Sequence, residues 1–193
     1  MPLIPPGLLL DAYRHGYFPM GTEGVDDPEV SWFEPKKRGL LPLDAFHVPH
    51  GLRRALKRGE YEIRFDTAFP EVMRACAERA ETWINTTIFE SYCELHRLNH
   101  AHSVEAWHAG KLVGGLYGVH LGGAFFGESM FHRRTDASKV ALVALVERLR
   151  ARGFSLLDTQ WVTPHLLQFG AIEISQARYR RMLRDALAVE CAF

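Results

Sequence analysis

Apolar segments that switch between strand-like and helix-like periodicity across the 193 residues predict an α+β fold, a sheet of mixed direction with helices on its faces. Three observations carry this expectation. The run KLVGGLYGVHLGGAFFGESMFHR, from Lys111 to Arg133, is rich in β-branched and aromatic residues and broken at Gly122-Gly123, the pattern of two adjacent antiparallel strands. From Ala137 to Arg152, Leu142, Leu145, Val146 and Leu149 recur at helical spacing until Gly153 stops the segment. A second apolar strand follows from Phe154 to Leu157, so a helix stands between strands as well as a meander.

The remaining elements follow from local signals. Pro5-Pro6 opens a short helix that runs through His15 and ends at Gly16. Tyr17-Phe18-Pro19 leads into a polar loop from Gly21 to Glu29, and strands at Val30–Phe33 and Leu40–Leu43 flank a basic turn, Lys36-Lys37-Arg38. Residues 1–45 bury little by themselves and are expected to form a small N-terminal subdomain packed on residues 46–193. Beyond that boundary come a helix from Gly51 to Gly59, a strand at Tyr61–Phe65, helices at Ala68–Arg79 and Thr87–Leu98, and a strand at Ser103–Trp107. A helix at Pro164–Phe169, a short segment at Ala171–Ile174 and a basic helix from Ser175 to about Leu187 complete the order.

Composition limits the function classes. Lys plus Arg and Asp plus Glu both number 23, so no global field points to nucleic acid or membrane. Cys76, Cys93 and Cys191 are odd in number and contain no Cys-x-x-Cys pair, which argues against a disulfide framework and a thiolate zinc site. No apolar run reaches the length of a bilayer span and no signal region opens the chain, so a cytoplasmic protein is expected. His96, His100 and His102 lie close together, but no carboxylate or thiolate completes a recognised ligand set. Satisfied structural histidines at a turn are the better reading, and no metal is expected.

The neutral total conceals a local excess. Between Lys36 and Arg64 eight Lys or Arg face Asp44, Glu60 and Glu62. In the helix after Gly51, Leu52, Ala55 and Leu56 make one apolar stripe with Arg53, Arg54, Lys57 and Arg58 beside it. Such a face is often merely solvated, yet it is also what a phosphate backbone needs, because cations that replace counterions give salt-dependent affinity.

Two polar features interrupt the apolar strands. Glu128 is flanked by Phe125, Phe126, Met130 and Phe131, so it either points to solvent through the pleat or sits in a lined cavity with a partner. The strand from Phe154 ends in Asp158-Thr159-Gln160, and strand ends open onto crevices in sheets flanked by helices. Both strands are expected to face one pocket. Taken alone, Asp158 and Gln160 would also fit a strand-end turn held by backbone hydrogen bonds.

Several motifs together resemble the leucyl/phenylalanyl-tRNA–protein transferase family, in the right order from about Leu9 to Leu187. They are Trp32-Phe33-Glu34-Pro35, Thr82-Trp83-Ile84, His100 to Trp107, Leu112 to Val119, Phe125-Phe126-Gly127-Glu128-Ser129-Met130-Phe131, Ala137-Ser138-Lys139, Asp158-Thr159-Gln160 and Gly170-Ala171. The resemblance implies a catalytic domain of the GCN5-related acyltransferase type. It also implies transfer of Leu or Phe, and less readily Met, from aminoacyl-tRNA to the α-amine of proteins beginning with Arg or Lys, which marks them for an ATP-dependent protease. No cofactor and no metal is implied.

Roles for residues follow from the same resemblance. Gln160 is expected beside the incoming amine, with Asp158 either holding the Gln160 amide or attracting the cationic N-terminus, and Glu128 as the other acidic candidate. Leu116, Phe125, Met130, Leu142, Leu145 and Leu149 match the pocket for the donor side chain, although core packing shares their periodicity. Trp32 and Phe33 match an aromatic pair near the terminal adenosine, with Phe33 departing from the usual Trp and Glu34 from the usual Ser. Thr163 stands where some members carry Asn. Arg53, Arg54, Lys57 and Arg58 match a basic helix that faces the acceptor stem.

Two rival classes remain. A coenzyme A-dependent N-acetyltransferase would need a glycine-rich turn opening a helix, where the chain has His132-Arg133-Arg134-Thr135-Asp136-Ala137. A non-catalytic tRNA-binding protein would have no need of Glu128, Asp158 and Gln160 around an apolar cavity.

Overall fold

The computed structural model describes residues 3–22, 28–79 and 81–193. Its elements are α1 (Pro6–Arg14), β1 (Phe18–Gly21), β2 (Val30–Phe33), β3 (Lys37–Leu40), α2 (His50–Arg58), β4 (Glu62–Phe65), α3 (Phe69–Ala77) and α4 (Thr86–Arg97). They continue with β5 (Ala101–His108), β6 (Lys111–Leu121), β7 (Ala124–His132), α5 (Ala137–Ala151), β8 (Leu156–Gln160), α6 (Pro164–Leu167), β9 (Ile172–Ser175) and α7 (Gln176–Leu187).

Seven strands make one sheet in the order β4-β5-β6-β7-β8-β3-β9, antiparallel at every step except between β7 and β8. The expected α+β class, with a mixed sheet and flanking helices, is the observed one. Helix α5 covers one face, where Val104, Leu116, Phe125, Leu142, Leu145 and Leu157 form a core together with Leu52 and Ala55 of α2. Helices α1, α3, α4 and α7 cover the other, over Tyr117, Val119, Phe126 and Leu156. Neighbours in a strand, Leu116 and Tyr117 or Leu156 and Leu157, thus enter opposite cores, as the period of two requires.

Three differences from the sequence reading affect the site. Phe18–Gly21 is a strand, paired with β2 in a separate ribbon, where only the entry to a loop was expected. The expected loop from Gly21 to Glu29 lies mostly outside the described residues. Strand β3 covers Lys37–Leu40 rather than Leu40–Leu43, so Arg38 is not in a basic turn but inside the sheet, between β8 and β9. A strand buried on both faces has no alternation to betray it. Finally, β8 starts at Leu156 rather than at Phe154, with Asp158, Thr159 and Gln160 as its last three residues.

The parallel pair opens the sheet. Ala124–Phe126 pair with Leu156–Asp158, and beyond those residues the two strands separate. A register shift between Tyr117 and Gly118 accompanies this on the β6 side. Gly118 is required there, since a Cβ would come within 2.3 Å of the Phe126 carbonyl oxygen. On the other side, Gly39 of β3 lets the chain after Gln160 pass, because its Cβ would lie 2.4 Å from the Trp161 carbonyl carbon.

Candidate active site

Where β7 and β8 part, a cavity of about 750 Å³ opens, and Gly127 and Glu128 from one strand and Thr159 and Gln160 from the other line it. This volume suits a small-molecule-sized group, for which cavities of ~300–1,000 Å³ are usual. Leu116, Met130, Leu142, Leu145 and Leu157 form an apolar wall contributed by the α5-side core. Trp83, Trp161, Thr163, His165 and Leu166 add to the lining.

Glu128 lies in the cavity, and it has partners. Its Oε1 accepts hydrogen bonds from Tyr13 Oη at 2.7 Å and from Gln160 Nε2 at 3.0 Å, and its Oε2 accepts from Tyr92 Oη at 3.5 Å. The Tyr13 and Tyr92 hydroxyls also touch each other. Burial pushes the Glu128 carboxyl up to about 7, while the Tyr13 and Gln160 hydrogen bonds pull it back toward the ordinary range. With its Nε2 donated to Glu128, the Gln160 side chain keeps its Oε1 for another donor. Glu128 and Gln160 therefore share one face of the sheet, and the apolar wall is reached through the parting of the strands.

Gln160 is held in the left-handed region, with φ +61°. For a residue other than glycine this costs ~1–3 kcal/mol and persists only where the surroundings enforce it. The enforcing group is Asp158, whose Oδ1 accepts from the Gln160 backbone N–H at 2.8 Å. Asp158 itself does not line the cavity. It is fully buried and takes hydrogen bonds from Arg38 Nε at 2.9 Å, Arg38 Nη2 at 2.7 Å and Tyr179 Oη at 2.5 Å. Arg38, 1 % exposed, lies between the Phe18 and Tyr179 rings and donates to the Gly16 carbonyl. Burial works against its charge, but the Asp158 carboxylate outweighs burial and moves the guanidinium upward.

These contacts correct the sequence reading of Asp158. Its charge is matched by Arg38, so it does not face a cationic N-terminus, and it fixes Gln160 through the backbone while Glu128 holds the side-chain amide. Phe125 and Leu149 are fully buried behind the apolar wall and do not line the cavity, whereas Leu116, Met130, Leu142 and Leu145 do. Trp32 and Phe33 are exposed on β2, outside the cavity lining. Phe33 stacks on Phe18 and Phe18 packs edge-on with Trp161, which joins the ribbon to the cavity lining. On α2, Arg53, Arg54, Lys57 and Arg58 are all exposed. Arg58 pairs with Glu60, and among the described residues Arg54 and Lys57 form no ion pair.

Sequence reasoning missed Tyr13, Arg38, Tyr92 and Tyr179. A signal existed for two of them. Tyr13 extends the Leu9-Leu10 stripe of α1, and Tyr179 shares a face with Leu183 and Ala186 of α7, so both hydroxyls had to enter the core and find a partner. Of the clustered histidines, His96 donates to the Ala101 carbonyl and His102 bridges Asp66 and His120 from within β5. His100 is different, with Nδ1 buried and unpartnered. Among the described residues no group of three or more His, Cys, Asp or Glu could hold a metal ion, and no helix is long and apolar enough to cross a membrane.

Comparisons with known proteins agree along the whole chain. Residues 40–184 match the family described as Leucyl/phenylalanyl-tRNA protein transferase, and residues 4–36 match the Leucyl/phenylalanyl-tRNA protein transferase N-terminal domain. A leucyl/phenylalanyl-tRNA–protein transferase of Ruegeria pomeroyi is 55% identical, covering 95% of this chain and 87% of the relative. One of Paramagnetospirillum magneticum is 60% identical, covering 94% of this chain and 88% of the relative. Among solved structures, a ribosomal-protein-alanine N-acetyltransferase from Brucella melitensis is 16% identical at a TM-score of 0.41, covering 56% of this chain and 86% of its own. That last likeness is too distant to bear on the activity.

Proposed function

The chain belongs to the leucyl/phenylalanyl-tRNA protein transferase family, and from that membership we propose how its cavity transfers an amino acid from aminoacyl-tRNA to a protein. The donors are Leu- and Phe-tRNA, and less readily Met-tRNA. The acceptor is the α-amine of a protein beginning with Arg or Lys, tagged in the cytoplasm for degradation. The single observation that supports this reading is the Glu128–Gln160 pair, fixed beside an apolar wall in the cavity where two strands part.

An aminoacyl ester is already activated, so peptide-bond formation needs no ATP, metal or covalent intermediate once the attacking amine is neutral and in place. An α-amine titrates near ~7.7–8, so a useful fraction is neutral at cellular pH. Gln160 Oε1 accepts a hydrogen bond from that amine and points its lone pair at the ester carbonyl; an amide is too weak a base to take the proton outright. The C–N bond forms, the bond to the tRNA ribose oxygen breaks, and the amine proton ends on the tRNA hydroxyl. Leu116, Met130, Leu142, Leu145 and Leu157 receive the donor side chain. Thioether and leucine linings adapt to branched and flat guests, and one methylene is worth only ~1–3 kcal/mol there, so discrimination depends on shape. Trp32 and Phe33 offer exposed faces for a base.

A decisive assay offers labelled Leu-tRNA, Phe-tRNA and acetyl-coenzyme A, each with a peptide starting in Arg. Label from the two tRNAs should reach the peptide and the acetyl group should not; acetyl transfer, or tRNA binding with no transfer, would replace the reading by one of its rivals.

Two further results are expected. Only ionised Glu128 is purely an acceptor for Tyr13 and Gln160, so the transfer rate should rise as pH passes through about 7. In Glu128→Gln that inflection should disappear, leaving the titration of the acceptor amine alone. Charge reversal at Arg53 and Arg54 should weaken Phe-tRNA binding and lower the slope of log Kd against log salt by ~2. An unchanged slope would put the acceptor stem on another face.

A further inference from the structure

The cations of α2 are separated from the cavity by the turn between β7 and α5. A groove of about 420 Å³ lies beside that turn, lined by Ala55 and Arg58 of α2, Glu60, Tyr61, and Arg133, Arg134, Thr135 and Asp136 of the turn. Arg133 lines this groove and also the cavity that holds Glu128 and Gln160. The two depressions therefore share Arg133. We propose that Arg133 and Arg134 hold the phosphodiester backbone of the single-stranded 3′ end of the tRNA, between the basic helix and the cavity. This rests on the transferase reading and extends it from α2 to the turn that completes the same groove.

The local chemistry fits a polyanion better than a structural ion-pair network. Arg134 and Arg58 share the single carboxylate of Glu60, at 3.6 Å and 2.9 Å, and Arg133 pairs with Glu78 at 2.8 Å. All of these side chains are a third or more exposed, and pairs so exposed contribute only ~0–1 kcal/mol, so a phosphate can replace a carboxylate at little cost. Planar guanidinium groups match phosphate geometry with two parallel N–H donors. The turn is also held in place. Tyr61 Oη donates to the Thr135 carbonyl at 2.6 Å, and the Tyr61 ring lies under the Arg134 guanidinium. Lys139 Nζ ties Asp136 back at 3.0 Å, which keeps that carboxylate from offering an unpaired negative charge.

The test compares two donors that carry the same amino acid. Phe-tRNA has the 3′ backbone, whereas phenylalanyl-adenosine has no phosphodiester at all. With an Arg-starting peptide as acceptor, R133A/R134A should lose at least ten times more kcat/KM on Phe-tRNA than on phenylalanyl-adenosine. The loss should appear in KM, with a salt slope reduced by ~1–2, and R133K/R134K should recover most of it. Equal losses on both donors, or a loss in kcat with an unchanged salt slope, would overturn the proposal and make the turn a structural element. A wild-type protein that transferred from neither donor would remove the transferase reading, and this inference with it.

Discussion

Gln160→Ala should lower kcat by ~10²-fold or more, with Phe-tRNA affinity changed less than threefold, because a misplaced nucleophile costs about that much in a reaction that depends on positioning. The substitution is a clean one. Alanine keeps a Cβ at φ +61°, so the backbone strain at this position is neither relieved nor increased. The change takes away the Cγ methylene and the amide, leaving Glu128 with Tyr13 and Tyr92 as donors. Single-turnover transfer from Phe-tRNA to an Arg-starting peptide, run beside filter binding, separates the two effects. Equal losses in rate and affinity would make Gln160 a recognition residue, and the role given to its Oε1 would fall.

Asp158→Ala should act first on stability. It leaves Arg38 charged in a site that is 1 % exposed, and removing one partner of a buried pair typically costs ~3–5 kcal/mol. Tyr179 Oη and the Gln160 backbone N–H lose an acceptor in the same step. For a chain of this length the loss corresponds to a fall in Tm of ~10 °C. Asp158→Leu combined with Arg38→Met removes both charges and should cost less than Asp158→Ala alone, which urea unfolding of the three proteins would show. Transfer should still be slow in the double variant, since the Gln160 backbone N–H has then lost the acceptor that fixes it in the left-handed region. A double variant no more stable than the single one would mean that the cost lies in the lost Tyr179 and Gln160 contacts instead of the stranded charge.

The Arg38 contacts also tie the N-terminal part of the chain to the site. Arg38 on β3 reaches Asp158 on β8, Gly16 after α1 and the Phe18 ring of β1, and Tyr13 on α1 reaches Glu128 on β7. Tyr13, from the region that matches the N-terminal domain of the family, thus completes the hydrogen bonding of the pair that faces the cavity.

The elements themselves were largely readable from the chain. The glycine break at Gly122-Gly123, the helical spacing of Leu142, Leu145 and Leu149, and the odd carboxylate at Glu128 placed the central hairpin, α5 and a candidate site residue, because periodicity and a misplaced polar group are local properties. A pocket wall and a core face share one periodicity, so Leu116 and Met130, which line the cavity, read the same as Phe125 and Leu149, which are core. Arg38 looked like one more cation of a basic turn. Its meaning came from an insertion between β8 and β9, and the partner that makes it so, Asp158, lies far along the chain. Which strands adjoin, which stop pairing, and which charge therefore meets which are consequences of long-range topology, whose pairings leave no periodic trace in either segment.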